Sequence, residues 1–452
     1  MSTTVQSTAP DLKGAAALLT TANIACAAIG AAQGLLVLWL LGPDYFGAAA
    51  VLAALTAVAA NLVDVRLTDL ISRLYYDDGA SGAASGVEYR TSVLRLGLGL
   101  SLLGAGLITI VSLGLMSIAA RRLTGVELTT AWLWMAAGAQ GVSYLGAFFI
   151  FIQRFIAPPR RMAAVQLASA LINAAVMLLS VAVDRTVGGY VLGLVASAAG
   201  IAALNTWQTL AILRQAGMRL YGRRRVVAPA IDRRVVLRFL VAGNAQGYVK
   251  LFHRAADVLL VAAFCSDLAT GVYKLARSIA DTLLVASEAI GRVYQPRLLS
   301  LLQARDHVEY GAVARSITLT AAALTLAALA AEAAFLPLVA PVLGVADGLE
   351  LTVSVAILTI SFFFVAGLQS WIWPAFVYFG RPERCTLWGA VAVTAGQYTI
   401  GPALVFLTGH ATPTWFSLGY LSYYVLAVLP LWRELRSEKP LLVWRPGALA
   451  AS

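Results

Sequence analysis

The chain has 452 residues, of which 60% are hydrophobic and only 12% charged, against roughly 25% charged in a soluble globular protein. Apolar stretches of ~20 residues, the length that crosses a ~30 Å hydrocarbon core, recur from residue 15 to the C-terminus, which excludes a soluble enzyme or binding domain. The net charge of +11 does not point to nucleic acid, because the basic residues gather in the turns between apolar stretches.

Residues 1–14 have no apolar core, so the first apolar segment reads as a retained helix rather than a cleaved signal. Six spans are predicted near 15–41, 48–71, 91–118, 129–152, 162–183 and 190–213. Six more follow near 236–264, 270–297, 311–336, 350–378, 387–407 and 415–433. Most of the 33 Lys and Arg residues fall in turns on one side, and only Arg121, Arg122 and Arg185 in turns on the other. This bias predicts a cytoplasmic basic side, with both termini on it. The run RQAGMRLYGRRRVVAPAIDRRVVLR (214–238) holds eight Arg and reads as a linker lying against anionic headgroups. The resulting organisation is a six-helix half over 1–213, the linker 214–238, a second six-helix half over 239–433 and a tail over 434–452.

The halves echo each other. Asn23 opens the first span, and a helix and then GPDYFG follow; Asn244 opens the seventh, and a helix and then CSDLATG follow. Gln140 and Gln369 each precede an aromatic helix end and a basic turn. Repeats of six helices share orientation, so their axis should run along the membrane normal. Two bundles facing a central cavity are the geometry of alternating access.

The stretch GYVKLFHRAADVLLVAAF (247–264) places Lys250, His253, Arg254 and Asp257 at i, i+3, i+4 and i+7, on one helical face. Each charge at the centre of a span costs about 2.5–3.5 kcal/mol, so this face needs a polar interior. In the eighth span Lys274, Arg277, Asp281 and Glu288 share a stripe, and Asp64, Arg66 and Asp69 sit near the inner end of the second. Glu332 lies in the ninth. Asp257 is expected to pair with Arg254, and Asp281 with Arg277, each one turn away. Lys250 and Lys274 lack an acid of their own, which implies a water-filled cavity, an anionic ligand or pairing between helices. Farther on, Trp371, Trp373, Phe376 and Tyr378 in FFFVAGLQSWIWPAFVYFG read as an interfacial belt, and Pro374 and Gly401-Pro402 as helix breaks. Cys26, Cys265 and Cys385, like the three His residues, are scattered, with no disulfide or metal spacing.

A first helix ending in LLGPDYFGAAA, a seventh with AADVLLVAAF, and then SDLATGVYKLARSIADTL and VYQPRLLSLL make the chain resemble the polysaccharide flippases. These belong to the superfamily that includes the multidrug and toxin extrusion (MATE) transporters. The resemblance spans nearly the whole chain through diffuse motifs. It implies an all-α polytopic membrane protein of MATE-like architecture in the bacterial inner membrane, with neither catalytic residues nor a cofactor. Its implied activity is transfer of a polyprenyl-pyrophosphate-linked oligosaccharide to the outer leaflet. Lys250, Arg254, Lys274, Arg277 and Arg66 would then meet the substrate. Asp257, Asp281, Asp64 and His253 would balance charge or couple transfer to a proton or sodium gradient. The implied partners are the lipid-linked oligosaccharide, membrane lipids, and a polysaccharide polymerase and co-polymerase. Two alternatives stay open. An ion-coupled multidrug antiporter of the same superfamily is disfavoured by a cationic cavity, and a membrane glycosyltransferase or polymerase by the short outer loops.

Overall fold

A computed structural model describes residues 12–63, 86–218, 256–343, 348–379 and 381–438, together with 71, 220, 252, 253 and 345. Every element among the described residues is helical. The first half contributes α1 (Leu12–Leu41), α2 (Pro43–Val63), α3 (Gly86–Leu115), α4 (Thr130–Ile156), α5 (Pro159–Val183) and α6 (Val187–Gln215). The second opens with α7 (Asp257–Phe264), α8 (Asp267–Gln303) and α9 (His307–Val339). In α10, Gly348–Phe362 passes through a π-helical segment, Phe363–Gln369, into Ser370–Tyr378. α11 likewise runs Pro382–Val391, π-helical Ala392–Gln397 and Tyr398–Thr408, and α12 is Pro413–Glu438.

Local chemistry sets the helix starts. Gly42 takes a φ of 77°, which favours glycine, and Pro43 then opens α2 with its ring-fixed φ. The predicted GPDYFG loop therefore shrinks to a single residue. Thr186 Oγ1 accepts from Gly188 N at 3.1 Å to cap α6, and Asp306 Oδ1 accepts from Glu309 N at 2.9 Å to cap α9. Cys385, expected in a loop, lies buried within α11, because Pro382 starts that helix five residues before the predicted span.

Ten of these helical stretches are long and apolar enough to cross a membrane. The sequence predicts twelve spans, and the difference has two sources. α7 is described only from Asp257 onward, and α8 carries Lys274, Arg277 and Asp281 along its length. Leu103, Ile110, Leu179, Leu326, Phe406 and Leu407 are all more than half exposed, a surface suited to lipid rather than water. Arg160, Arg161, Arg214, Arg305, Arg381, Arg384 and Arg433 cluster at one end of the bundle, by their places at helix ends. Arg122 and Arg185 mark the opposite end.

In the first half α6 packs on α4 and α5, α1 on α5, and α3 on α4; in the second, α10 packs on α8, α9 and α12, and α11 on α12. α2 and α1 meet α8, and α2 also meets α7. The tightest crossing lies at the end opposite the arginines. A Cβ on Gly47 would overlap the Asp267 carbonyl oxygen, and one on Gly271 would sit 2.7 Å from the Pro43 carbonyl oxygen. The backbones of α2 and α8 touch there because neither glycine has a side chain. Gly125 N, from the turn after α3, also donates to Asp267 Oδ2 at 2.7 Å.

The expected breaks at Pro374 and Pro402 are realised upstream of each proline, as the π-helical segments of α10 and α11. Thr318 Oγ1 on α9 and the Trp371 indole both donate to the Gly367 carbonyl, at 2.6 and 2.7 Å. Trp371 and Phe376 are thus buried core, contrary to the belt expectation; Tyr378, 40% exposed, fits it.

Candidate functional site

The polar centre of the described bundle is built by α7, α8, α11 and α12. Asp257 opens α7 and is 2% exposed. Its Oδ1 accepts from Val258 N at 2.9 Å, and its Oδ2 accepts from the Tyr273 hydroxyl at 3.0 Å. Arg277 Nε stands 3.3 Å from the same Oδ2. Tyr273 and Arg277 are one turn apart on α8, so one face of that helix presents both to the carboxylate. Arg277 Nη1 lies 3.1 Å from Asp281 Oδ1, as an ion pair without hydrogen-bond alignment. The guanidinium carbon sits 3.9 Å from the centroid of the Tyr420 ring on α12, a cation–π contact in a desolvated setting.

A second layer begins at His253. Its Nδ1 is 2.8 Å from Gln397 Oε1 and its Nε2 is 2.8 Å from the Tyr424 hydroxyl. Gln397 Nε2 is committed to the His253 carbonyl at 3.2 Å, so Oε1 is the atom facing the ring and Nδ1 must carry a proton. In neutral imidazole Nε2 then accepts from Tyr424, whose hydroxyl is 3.2 Å from that of Tyr420. Protonation at Nε2 reverses these donors, so His253 and the two tyrosines form a chain that can point either way. The imidazole also stacks on Tyr423, with centroids 3.6 Å apart, and on Tyr420 at 4.5 Å. Tyr420 joins the layers, because its ring touches both His253 and Arg277.

The structure brings together four of the nine site residues expected from sequence: His253, Asp257, Arg277 and Asp281. Lys274, three residues before Arg277, is half-buried and makes no ion pair with a described residue. Lys250, Arg254, Asp64 and Arg66 lie outside the described residues. The expected pairing changes. Asp257 bonds to Arg277 across two helices, and Arg277 serves Asp281 as well. Arg277 is therefore a compensated cation and not one lining an open cationic cavity. Glu332 is separate: it accepts from Thr359 Oγ1 at 2.6 Å while its other carboxylate oxygen is buried without a partner among the described residues. Sequence reasoning missed Tyr273, Gln397, Tyr420, Tyr423 and Tyr424. Their one signal was GYLSYY (419–424), with tyrosines at i, i+3 and i+4.

No protein-family model matches the chain, and no curated protein matches it. Solved structures do. An outward-facing multidrug resistance MATE family transporter of the MOP superfamily aligns with a TM-score of 0.63 at 15% identity, over 95% of this chain and 97% of that one. An inward-facing conformation of such a transporter aligns at 0.59 and 15%, over 93% and 95%. A Vibrio cholerae MATE transporter aligns at 0.62 and 14%, over 95% and 99%. The fold is that of the MATE transporters. The alignments cover 93–95% of the chain, so the likeness extends over both halves. Two of these neighbours are multidrug resistance transporters, and this overturns the expectation of lipid-linked oligosaccharide transfer. That expectation rested on uncompensated cations and on motifs too diffuse to separate branches of one superfamily. The physical objection to the antiporter alternative also falls, since Arg277 is neutralised by two carboxylates.

Proposed function

We propose that this chain is a secondary antiporter that exchanges protons for organic cations. The observation that carries this reading is the Asp257–Arg277–Asp281 cluster at the polar centre of the second half of a MATE fold, with Asp257 and Arg277 buried. Asp257, Asp281, Arg277 and Lys274 together sum to no net charge. Adding one proton makes the cluster cationic, which repels a bound organic cation; releasing it removes that repulsion. Electrostatic exclusion of this kind is what antiport requires, because proton and cargo then occupy the site alternately. A proton suits the cluster better than sodium: Val258 N, Tyr273 and Arg277 already occupy the Asp257 oxygens, leaving a metal ion few of the six or so oxygen ligands such cations take. The His253–Tyr424–Tyr420 chain supplies a path along which a proton can approach the cluster. By the charge bias of the turns, the arginine-rich end faces the cytoplasm.

The test is transport of tetraphenylphosphonium in proteoliposomes under an imposed pH gradient or sodium gradient. The expected result is transport driven by the pH gradient and lost in Asp257→Asn. Drive by sodium alone would overturn the coupling ion. No movement of any organic cation under either gradient would overturn the antiporter reading.

A further inference from the structure

A groove of about 220 Å³ opens on the outer side of the second half, between α9, α10 and α12. Arg315, Leu319, Leu368, Trp371, Leu429 and Trp432 line it. Leu319 and Leu429 are 53% and 41% exposed, so the groove opens toward the surrounding hydrocarbon. Its depth follows from the helices. Arg315 is eight residues into α9, or about 12 Å at 1.5 Å per residue, and Trp432 is six residues from the end of α12. Both count from the arginine-rich end, which places the groove in that leaflet. Apolar side chains form most of the wall, but its rim is cationic. Arg315 belongs to the lining, and exposed Arg436 sits one turn beyond Trp432 with its guanidinium 5.3 Å from the indole centroid.

We infer that this groove is a binding site for an anionic phospholipid of the leaflet at the arginine-rich end. One acyl chain fills the apolar groove, and the phosphate is held by Arg315 and Arg436. The charge complementarity decides between lipids. Guanidinium groups offer several donors in a fixed fork that matches phosphate oxygens, and a zwitterionic headgroup brings its own cation to oppose them. The site also reaches the conformational machinery. Trp371, in its wall, donates to the Gly367 carbonyl and to Thr318 Oγ1, the bonds that hold the π-helical segment of α10. A bound chain therefore braces α10 at its irregular stretch. This inference is independent of which substrate the antiporter carries.

Native mass spectrometry of the full chain, released from mixed phosphatidylglycerol–phosphatidylcholine nanodiscs of matched acyl chains, reads the site directly. The expected result is one retained phosphatidylglycerol in the wild type. The Arg315→Gln/Arg436→Gln variant should lower its retention about a hundredfold, the loss of two charge-assisted contacts at roughly tenfold each, while Arg214→Gln, at the end of α6, leaves it unchanged. Leu319→Trp, which fills the mouth of the groove, should lower retention without touching a charge, and it decides the matter should the double variant fail to fold. Equal retention of both lipids, retention unchanged in the double variant or in Leu319→Trp, or equal loss in Arg214→Gln would each overturn the site.

Discussion

Arg277 holds two acids at once, and its removal exposes how much the cluster depends on it. With the guanidinium gone, Asp257 keeps Val258 N and Tyr273 but loses its countercharge while 2% exposed. Removing one partner of a buried ion pair costs about 3–5 kcal/mol, so Arg277→Ala should lower the thermal unfolding midpoint in detergent by many degrees. Asp257→Asn in the same chain removes the uncompensated charge and should recover a large part of that loss. A double variant no more stable than Arg277→Ala alone would show that Arg277 matters mainly through Tyr420 and Asp281. His253 presents a different balance. His253→Phe keeps an aromatic ring against Tyr423 and Tyr420 but strands Gln397 Oε1 and leaves Tyr424 without its ring nitrogen. Stranding buried polar atoms costs about 1–3 kcal/mol, and the proton chain is cut. The expected outcome is a modestly destabilised protein whose pH-driven transport is strongly slowed; a normal transport rate would remove His253 from the proton path.

At the scale of helices, the contact between α2 and α8 rests on two missing side chains. Gly47→Val would drive a β-branched side chain into the backbone at Asp267, and overpacking of this kind costs about 1–3 kcal/mol. The two helices must part locally, so Thr270, fully buried one residue before Gly271, becomes reachable. In a Thr270→Cys background the Gly47→Val change should speed maleimide labelling severalfold, and unchanged labelling would show that α2 yields without opening. The sequence made part of this arrangement legible and hid the rest for identifiable reasons. Hydropathy marked the helices, because a bilayer admits little else. An ionisable side chain in an apolar span is conspicuous, so His253, Asp257, Arg277 and Asp281 stood out. Their partners did not: a tyrosine at the end of an apolar helix is ordinary until another helix places an imidazole on it. The Asp257–Arg277 bond joins separate helices, while spacing along one helix suggested only the neighbour one turn away. The fold-level echo of GPDYFG and SDLATG was visible as a repeat, but not that Gly47 and Gly271 bring the two segments into backbone contact.

Across the whole molecule, the contacts at the end opposite the arginines define one of the two states that the proposed antiport requires. Pro43 against Gly271, Gly47 against Asp267, and Gly125 bonded to Asp267 all join the first six helices to the last six. They close the seam between the halves at that end. The MATE fold is known in both outward-facing and inward-facing forms, and this chain aligns with each. Alternating access through this bundle requires the seam to part, whereas a conduit that stays open at this end would not. Gly125→Cys/Asp267→Cys, with the three native cysteines replaced by serine, places two thiols at a contact now made by a 2.7 Å hydrogen bond. An oxidant should join them readily and reduce transport to a few per cent of the reduced protein's rate, with recovery on adding a thiol reductant. Alternating access predicts this coupled loss and recovery because a covalent bond across the seam forbids the opened state. Transport that continues through the cross-linked protein would mean the substrate never passes between α2 and α8, and the route would then have to run through one half alone.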